Sequence, residues 1–214
     1  MAVNTPQKLK IYHIVHIDRL EQILCDSFLY SDAHMRGKLN RGTTIGMNKI
    51  KERRQNTFLR SYPDLTVGQC VPFYFCSRSV MLYVIHCGNH LDLAYKGGQN
   101  NIIHLEFDLH KVRTWAQDNN KRCVFTNFNA SSSYFEDCSD FSQLGKINWK
   151  AIRTNKWENV KEEKQAEFLI EDKISFDLVE RIGVCNSSIY QKVSVILDRS
   201  NIDKLTEIKN NWYY

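Results

Sequence analysis

Apolar residues fall along this chain in short alternating runs. Residues 9–16 (Leu-Lys-Ile-Tyr-His-Ile-Val-His) alternate, which predicts a strand with Ile11 and His13 on one face and Tyr12 and Ile14 on the other. Asp18 is placed to cap a helix over 19–24, where Leu20, Ile23 and Leu24 have helical spacing. Residues 29–44 read as a polar, basic loop, and 45–54 as a short helix with Ile45, Met47 and Ile50 on a thin apolar face. A linking loop follows over 55–69, with Pro63-Asp64 as its turn signal. Residues 71–75 (Val-Pro-Phe-Tyr-Phe) read as a strand, and Pro72 places its start or a sheet edge there. After a second apolar segment at 81–86, strands are expected at 102–107 and 123–126. Asp108 opens a helix between them. Residues 127–140 read as a loop, and 141–157 as a turn and short helix with Trp149 and Ile152 inward. A strand within 174–184, a helix from Ser187 and a last strand near 206–209 complete the chain. Strands are short, helices few, and no βαβ repetition occurs, which predicts an α+β fold with a mixed or antiparallel sheet.

Within 164–170 (Lys-Gln-Ala-Glu-Phe-Leu-Ile) a single acid sits among apolar residues. In strand geometry Glu167 points away from the face of Ala166 and Phe168. Burying an unpaired carboxylate is costly, so Glu167 has a partner, faces water on an edge strand, or belongs to a site.

Length and composition narrow the class. A chain of 214 residues supports one sizeable core, and we expect a single domain over 1–214. No apolar run reaches membrane-spanning length, and residues 1–8 lack the apolar segment of a secretory signal, so a cytoplasmic protein is expected. The 7 cysteines are odd in number and none is spaced as Cys-x-x-Cys, which argues for inert thiols, with no disulfide framework and no metal. Charge is modest overall, at +5, but unevenly placed. Between Arg36 and Arg60, eight basic residues (36, 38, 41, 49, 51, 53, 54 and 60) stand against Glu52 alone. That segment suits a polyanionic partner, nucleic acid or a phosphate-rich cofactor; a solvated basic helix and loop is the plainer reading. Rossmann, Walker A, Gly-x-Ser-x-Gly and His-Glu-x-x-His signatures are all absent.

The ordered blocks Ile11-Tyr12-His13-Ile14-Val15-His16-Ile17-Asp18, Ile50-Lys51-Glu52-Arg53-Arg54 and Val71-Pro72-Phe73-Tyr74-Phe75 are followed by Ser77-Arg78-Ser79-Val80-Met81-Leu82. Gly88-Asn89, Phe125-Thr126-Asn127, Lys164-Gln165-Ala166-Glu167-Phe168-Leu169 and Trp212-Tyr213-Tyr214 complete the set. In this order the chain resembles the DarT-type DNA ADP-ribosyltransferases, toxins of bacterial toxin–antitoxin pairs. The resemblance implies an ADP-ribosyltransferase-like α+β fold: a split mixed or antiparallel sheet with flanking helices and an NAD cleft between its halves. It implies transfer of ADP-ribose from NAD to a thymidine or guanosine base in single-stranded DNA, without a metal. It also implies a macrodomain-type antitoxin as partner. Glu167 and Arg54 fall on the family's catalytic pair. His13, His16, Tyr74 and Asn129 fall on its NAD side, and Met81, Arg53, Lys51 and Lys161 on its DNA side. Val80 stands where the family usually has proline, which bears on how a base is presented. The residues leave two other readings standing: a non-catalytic nucleic-acid-binding domain, and a transferase acting on RNA or protein.

Overall fold

The alternating run at the head of the chain forms a strand, and its register sets the plan of the molecule. The structure is a computed structural model and describes residues 6, 8–38 and 42–214. In chain order the elements are β1 (Lys10–His16), α1 (Leu20–Asp26), β2 (Phe28–Tyr30), α2 (Asp32–Met35), α3 (Asn48–Gln55), β3 (Cys70–Tyr74) and α4 (Val80–Cys87). Next come β4 (Ile102–Asp108), α5 (Leu109–Asp118), β5 (Cys123–Thr126), β6 (Asp137–Cys138), α6 (Trp149–Arg153) and α7 (Lys161–Lys164). The last are β7 (Glu167–Glu171), β8 (Lys173–Ser175), β9 (Val179–Val184), α8 (Ser187–Arg199) and β10 (Thr206–Ile208).

Eight strands form one mixed sheet in the order β10-β9-β4-β1-β3-β7-β5-β6, with β2 and β8 paired separately. Every ladder is antiparallel except β9 with β10. β1 pairs with β4 along its whole length, Lys10 to His16. On its other side β1 meets β3 only at Tyr12↔Tyr74. Beyond that pair the two strands part toward His16 and Cys70, which splits the sheet into two halves. Ile11, Phe73, Phe107 and Phe168 share one face and are fully buried in the main core. Because paired residues share a face, Tyr12, Tyr74 and Glu167 lie together on the other.

Pro72 differs from expectation. It lies within β3, which is an interior strand between β1 and β7. The ring Nδ1 of His13 on β1 donates to the Pro72 carbonyl at 2.8 Å. In an extended strand a residue's N and O point the same way. The missing N–H of Pro72 therefore faces the split, where β1 offers no ladder acceptor. Asp18 also differs. The chain makes a 3-10 turn at Ile17–Arg19 before α1 begins, so Asp18 falls inside that turn. Its carboxylate accepts instead from Thr43 Oγ1 at 2.6 Å and Thr43 N at 3.1 Å. Residues 29–44 contain α2 and most of β2, and 174–184 hold two strands where one was expected. Helices are more numerous than the alternation suggested. Residues 80–87 form one because Ser79 Oγ caps the Leu82 N–H at 3.2 Å and the run turns Val80, Leu82 and Ile85 inward.

Two enclosed histidines make stability depend on pH. His13 donates across the split, and His104 Nε2 donates to the Ser77 carbonyl at 2.9 Å. Burial pushes both imidazoles down to about 4. An unfolded histidine titrates near 6.5, so between there and about 4 the unfolded chain binds protons that the folded chain refuses. Stability is therefore intact above pH 6.5 and falls as pH drops, by about 1.4 kcal/mol per pH unit for each histidine. Urea midpoints at pH 7 and pH 5 should differ accordingly, and His104→Gln should flatten the difference. Equal midpoints for the unmodified protein would overturn this account.

Candidate active site

Glu167 opens β7 on the face opposite the main core, yet it is only 1% exposed. What buries it is Arg54, itself 8% exposed. Arg54 Nη1 donates to Glu167 Oε1 at 3.1 Å and Nη2 to Oε2 at 2.9 Å, a two-pronged pair between residues far apart in sequence. The arginine comes from α3, seated by Met47 and Ile50 in a second apolar cluster. Ile50 lies one turn before Arg54, so packing one side of α3 directs the guanidinium at β7. Burial disfavours the charge on Arg54, but the Glu167 carboxylate outweighs that effect and holds the guanidinium protonated. Oε1 of Glu167 also accepts the Ala130 N–H at 3.2 Å. The Glu167 N–H donates to Thr126 Oγ1 at 2.9 Å, and that hydroxyl donates to the Phe128 carbonyl at 2.6 Å.

The expected NAD-side residues flank the split. Tyr74 is adjacent to Glu167 in the ladder; burial first, then the nearby carboxylate, drives its phenol well above the ordinary range, so it stays a neutral hydroxyl. His13 lines a small cavity of about 50 Å³ with Arg19, Tyr30 and Met35, on the opposite face from Tyr74. His16 ends β1, with Nδ1 2.9 Å from Asp18 Oδ1 and its ring edge-on to Tyr95. Asn129 turns its Oδ1 onto the Ser131 N–H at 2.9 Å and the Ser131 hydroxyl. It shapes the turn that carries the Ala130 N–H to Glu167.

The DNA-side candidates do not gather in one place. Met81 packs against the second cluster, as does Tyr74, Glu167's ladder neighbour. Arg53 Nη1 donates to the Ser131 carbonyl at 3.1 Å and fixes the loop over Glu167. Lys51 pairs with Asp32 at 2.5 Å. Lys161 is exposed on α7. Half of the eight basic residues in the stretch thus face acids: Lys49 pairs with Asp92 and Arg60 lies near Glu136, besides Lys51 and Arg54. Arg41 lies outside the described residues. Val80 occupies the first turn of α4, where proline is favoured because its N–H has no partner in the helix. The Ser79 cap starts the helix without it.

Three contributors are not singled out by the sequence: the Thr126 hydroxyl and Lys164, which lie within the ordered blocks without an assigned role, and the Ala130 N–H, which lies outside them. Lys164 is 2% exposed, with Nζ donating to the carbonyls of Ile152 at 3.0 Å and Thr154 at 2.9 Å. It ties 152–154 to the residues leading into Glu167. Only the Asn-Ala-Ser run at 129–131 signals its turn in sequence. A surface groove of about 550 Å³ lies elsewhere, between Ile17–Glu21 and α8, and contains neither Arg54 nor Glu167. Among the described residues, no cluster of His, Cys, Asp or Glu is placed to hold a metal, and no helix is long and apolar enough to cross a membrane.

Residues 12–214 match a family model described as DarT, ssDNA thymidine ADP-ribosyltransferase. A DNA ADP-ribosyl transferase of Thermus aquaticus is 33% identical, over 98% of this chain and 90% of its own. The solved structure of Thermus sp. 2.9 DarT in complex with ADP-ribosylated ssDNA superposes with a TM-score of 0.90 at 30% identity, covering 100% of both chains. The same protein in complex with NAD+ gives a TM-score of 0.84 at 29% identity, covering 99% of this chain and 100% of the other.

Proposed function

The chain belongs to the DarT family of single-stranded DNA ADP-ribosyltransferases, and from that premise we propose how its residues divide the work. It is an enzyme that uses NAD+ and modifies single-stranded DNA. The target we propose is thymidine, the base in the family's description. The observation that carries the reading is the buried Arg54–Glu167 pair beside the split of the sheet.

The split suits an elongated dinucleotide. His16 on β1 and Tyr74 on β3 stand on the same face beside it, and His13 braces it from the other face through the Pro72 carbonyl. A protonated arginine stands at its inner end, and arginine matches phosphate or ribose oxygens with fixed donors. NAD supplies the bond between nicotinamide and ribose C1′, at which positive charge develops as that bond breaks. Glu167 faces that charge as a carboxylate and stabilises it. It also takes the proton from the thymine ring N–H as the ring nitrogen bonds to C1′, while nicotinamide leaves with the electron pair of the broken bond. Tyr74 holds the cofactor side, Met81 packs against the base, and Asn129 shapes the loop over the carboxylate. Arg53 acts through that loop, and Lys51 and Lys161 are the cations we assign to backbone phosphates. A single-stranded acceptor spares the enzyme the few kcal/mol needed to extrude a base from a duplex. The residues act within one catalytic domain, and the partner we propose is a macrodomain that removes ADP-ribose.

Mass analysis of short oligonucleotides incubated with NAD tests this. A gain of one ADP-ribose should occur and should vanish when the single thymidine is replaced. A gain on guanosine alone would change the target. Nicotinamide release without an oligonucleotide adduct would move the acceptor to RNA or protein.

A further inference from the structure

Away from the ion pair, three aromatic rings from three separate stretches meet at the surface. Tyr83 on α4 lies 5.2 Å from Trp157, which precedes α7, and 5.0 Å from Tyr214 at the far end of the chain. Both contacts are edge-to-face, at 83° and 67°. His86, one turn after Tyr83, lies 6.1 Å from the Tyr214 ring. The Arg78 guanidinium sits 4.3 Å over Tyr214, and Arg78 Nε is buried without a hydrogen-bond partner. Tyr83 is 39% exposed, His86 is exposed, and Trp157 and Tyr214 are half-buried. Neither Tyr83 nor Trp157 belongs to the apolar clusters of the interior.

Two of the three stretches that build this patch adjoin the active-site residues in sequence. Residues 75–79 run from Tyr74 into α4 and carry Arg78. Residues 154–166 run from Trp157 into Glu167, braced by Lys164. Tyr214 closes the patch by donating its hydroxyl to the carbonyls of Arg78 and Ser79, at 3.1 and 3.3 Å. Lys156, next to Trp157 in the chain, and Lys161 are exposed. Aromatic faces beside cations are how proteins hold single strands without reading sequence. Resting on the reading above, we propose that Tyr83, Trp157 and Tyr214 form a stacking station for a nucleobase several positions along the strand from the target, with Arg78 meeting its phosphate.

The station lies away from the ion pair, so its effect should depend on oligonucleotide length. Fluorescence anisotropy would compare a labelled thymidine oligonucleotide of about four nucleotides with one of about sixteen. Tyr83→Ala and Trp157→Ala should each weaken binding of the longer strand about tenfold and leave the shorter unchanged, the size expected for one lost base stack. Tyr83→Phe and Trp157→Phe keep a ring and should bind like the unmodified protein, which separates stacking from misfolding. Arg78→Gln should reduce the salt dependence of binding by about one phosphate contact. Equal affinities for the longer strand in the unmodified protein and the alanine variants would overturn the station. So would a loss shared by both strand lengths, or a loss confined to a protein partner. If the unmodified protein binds both strands but transfers nothing, the transferase reading fails while the station is still judged by its binding.

Discussion

Glu167→Gln should lower ADP-ribose transfer to single-stranded DNA by about 10²–10⁴-fold, the range for a lost general base. The amide keeps the size of the side chain and can still accept the Ala130 N–H, so the loop over it should stay in place. What disappears is the negative charge and the proton acceptor. Glu167→Ala should be as inactive and also less stable. It leaves the Arg54 guanidinium buried with no counter-ion. Removing one partner of such a pair costs about 3–5 kcal/mol, which for a chain of this size lowers the melting temperature by roughly 6–20 °C. Transfer is read as oligonucleotide mass, and stability by thermal unfolding. Transfer by Glu167→Gln at more than a tenth of the unmodified rate would remove Glu167 from the proton-transfer step.

Sequence patterning located β1, β4, β5, β7 and α8 because each alternates or repeats with little ambiguity. It also turned Glu167 away from the core, since a strand's period is fixed at two. It did not show that β1 and β3 touch at one pair only, because the divergence of two strands has no local signature. It misplaced Pro72 for the same reason: a proline at a split looks like a proline at an edge. The run at 81–86 carries no alternation and became a helix through the Ser79 cap. Nor did the basic stretch announce that four of its charges are paired with acids at Asp32, Asp92, Glu136 and Glu167. Those acids lie from 19 to 113 positions away, beyond any window of local pattern. Glu167 and Arg54 themselves were legible only through the order of blocks shared with a family. Nothing local distinguishes them from a strand acid and a helix arginine.

The role of Arg54 separates from that of Glu167 only when both are changed. Arg54→Lys should lose about 10²-fold in transfer, although it keeps a positive charge. Lysine is a point charge and cannot hold both carboxylate oxygens, so Glu167 loses its orientation. Arg54→Met should be inactive and unstable, by about 3–5 kcal/mol, because Glu167 is then the buried charge without a partner. The double variant Arg54→Met with Glu167→Gln has no buried charge at all. It should recover much of the lost stability, since replacing a buried pair by neutral groups is often close to neutral. It should recover no activity. Stability would then be strongly non-additive across the cycle while transfer stays at the floor. This sets the ion pair down as a device for catalysis, whose members stabilise the fold only against each other's absence. Additive stability losses would contradict the two-pronged contact, and any return of transfer in the double variant would show that the chemistry lies elsewhere.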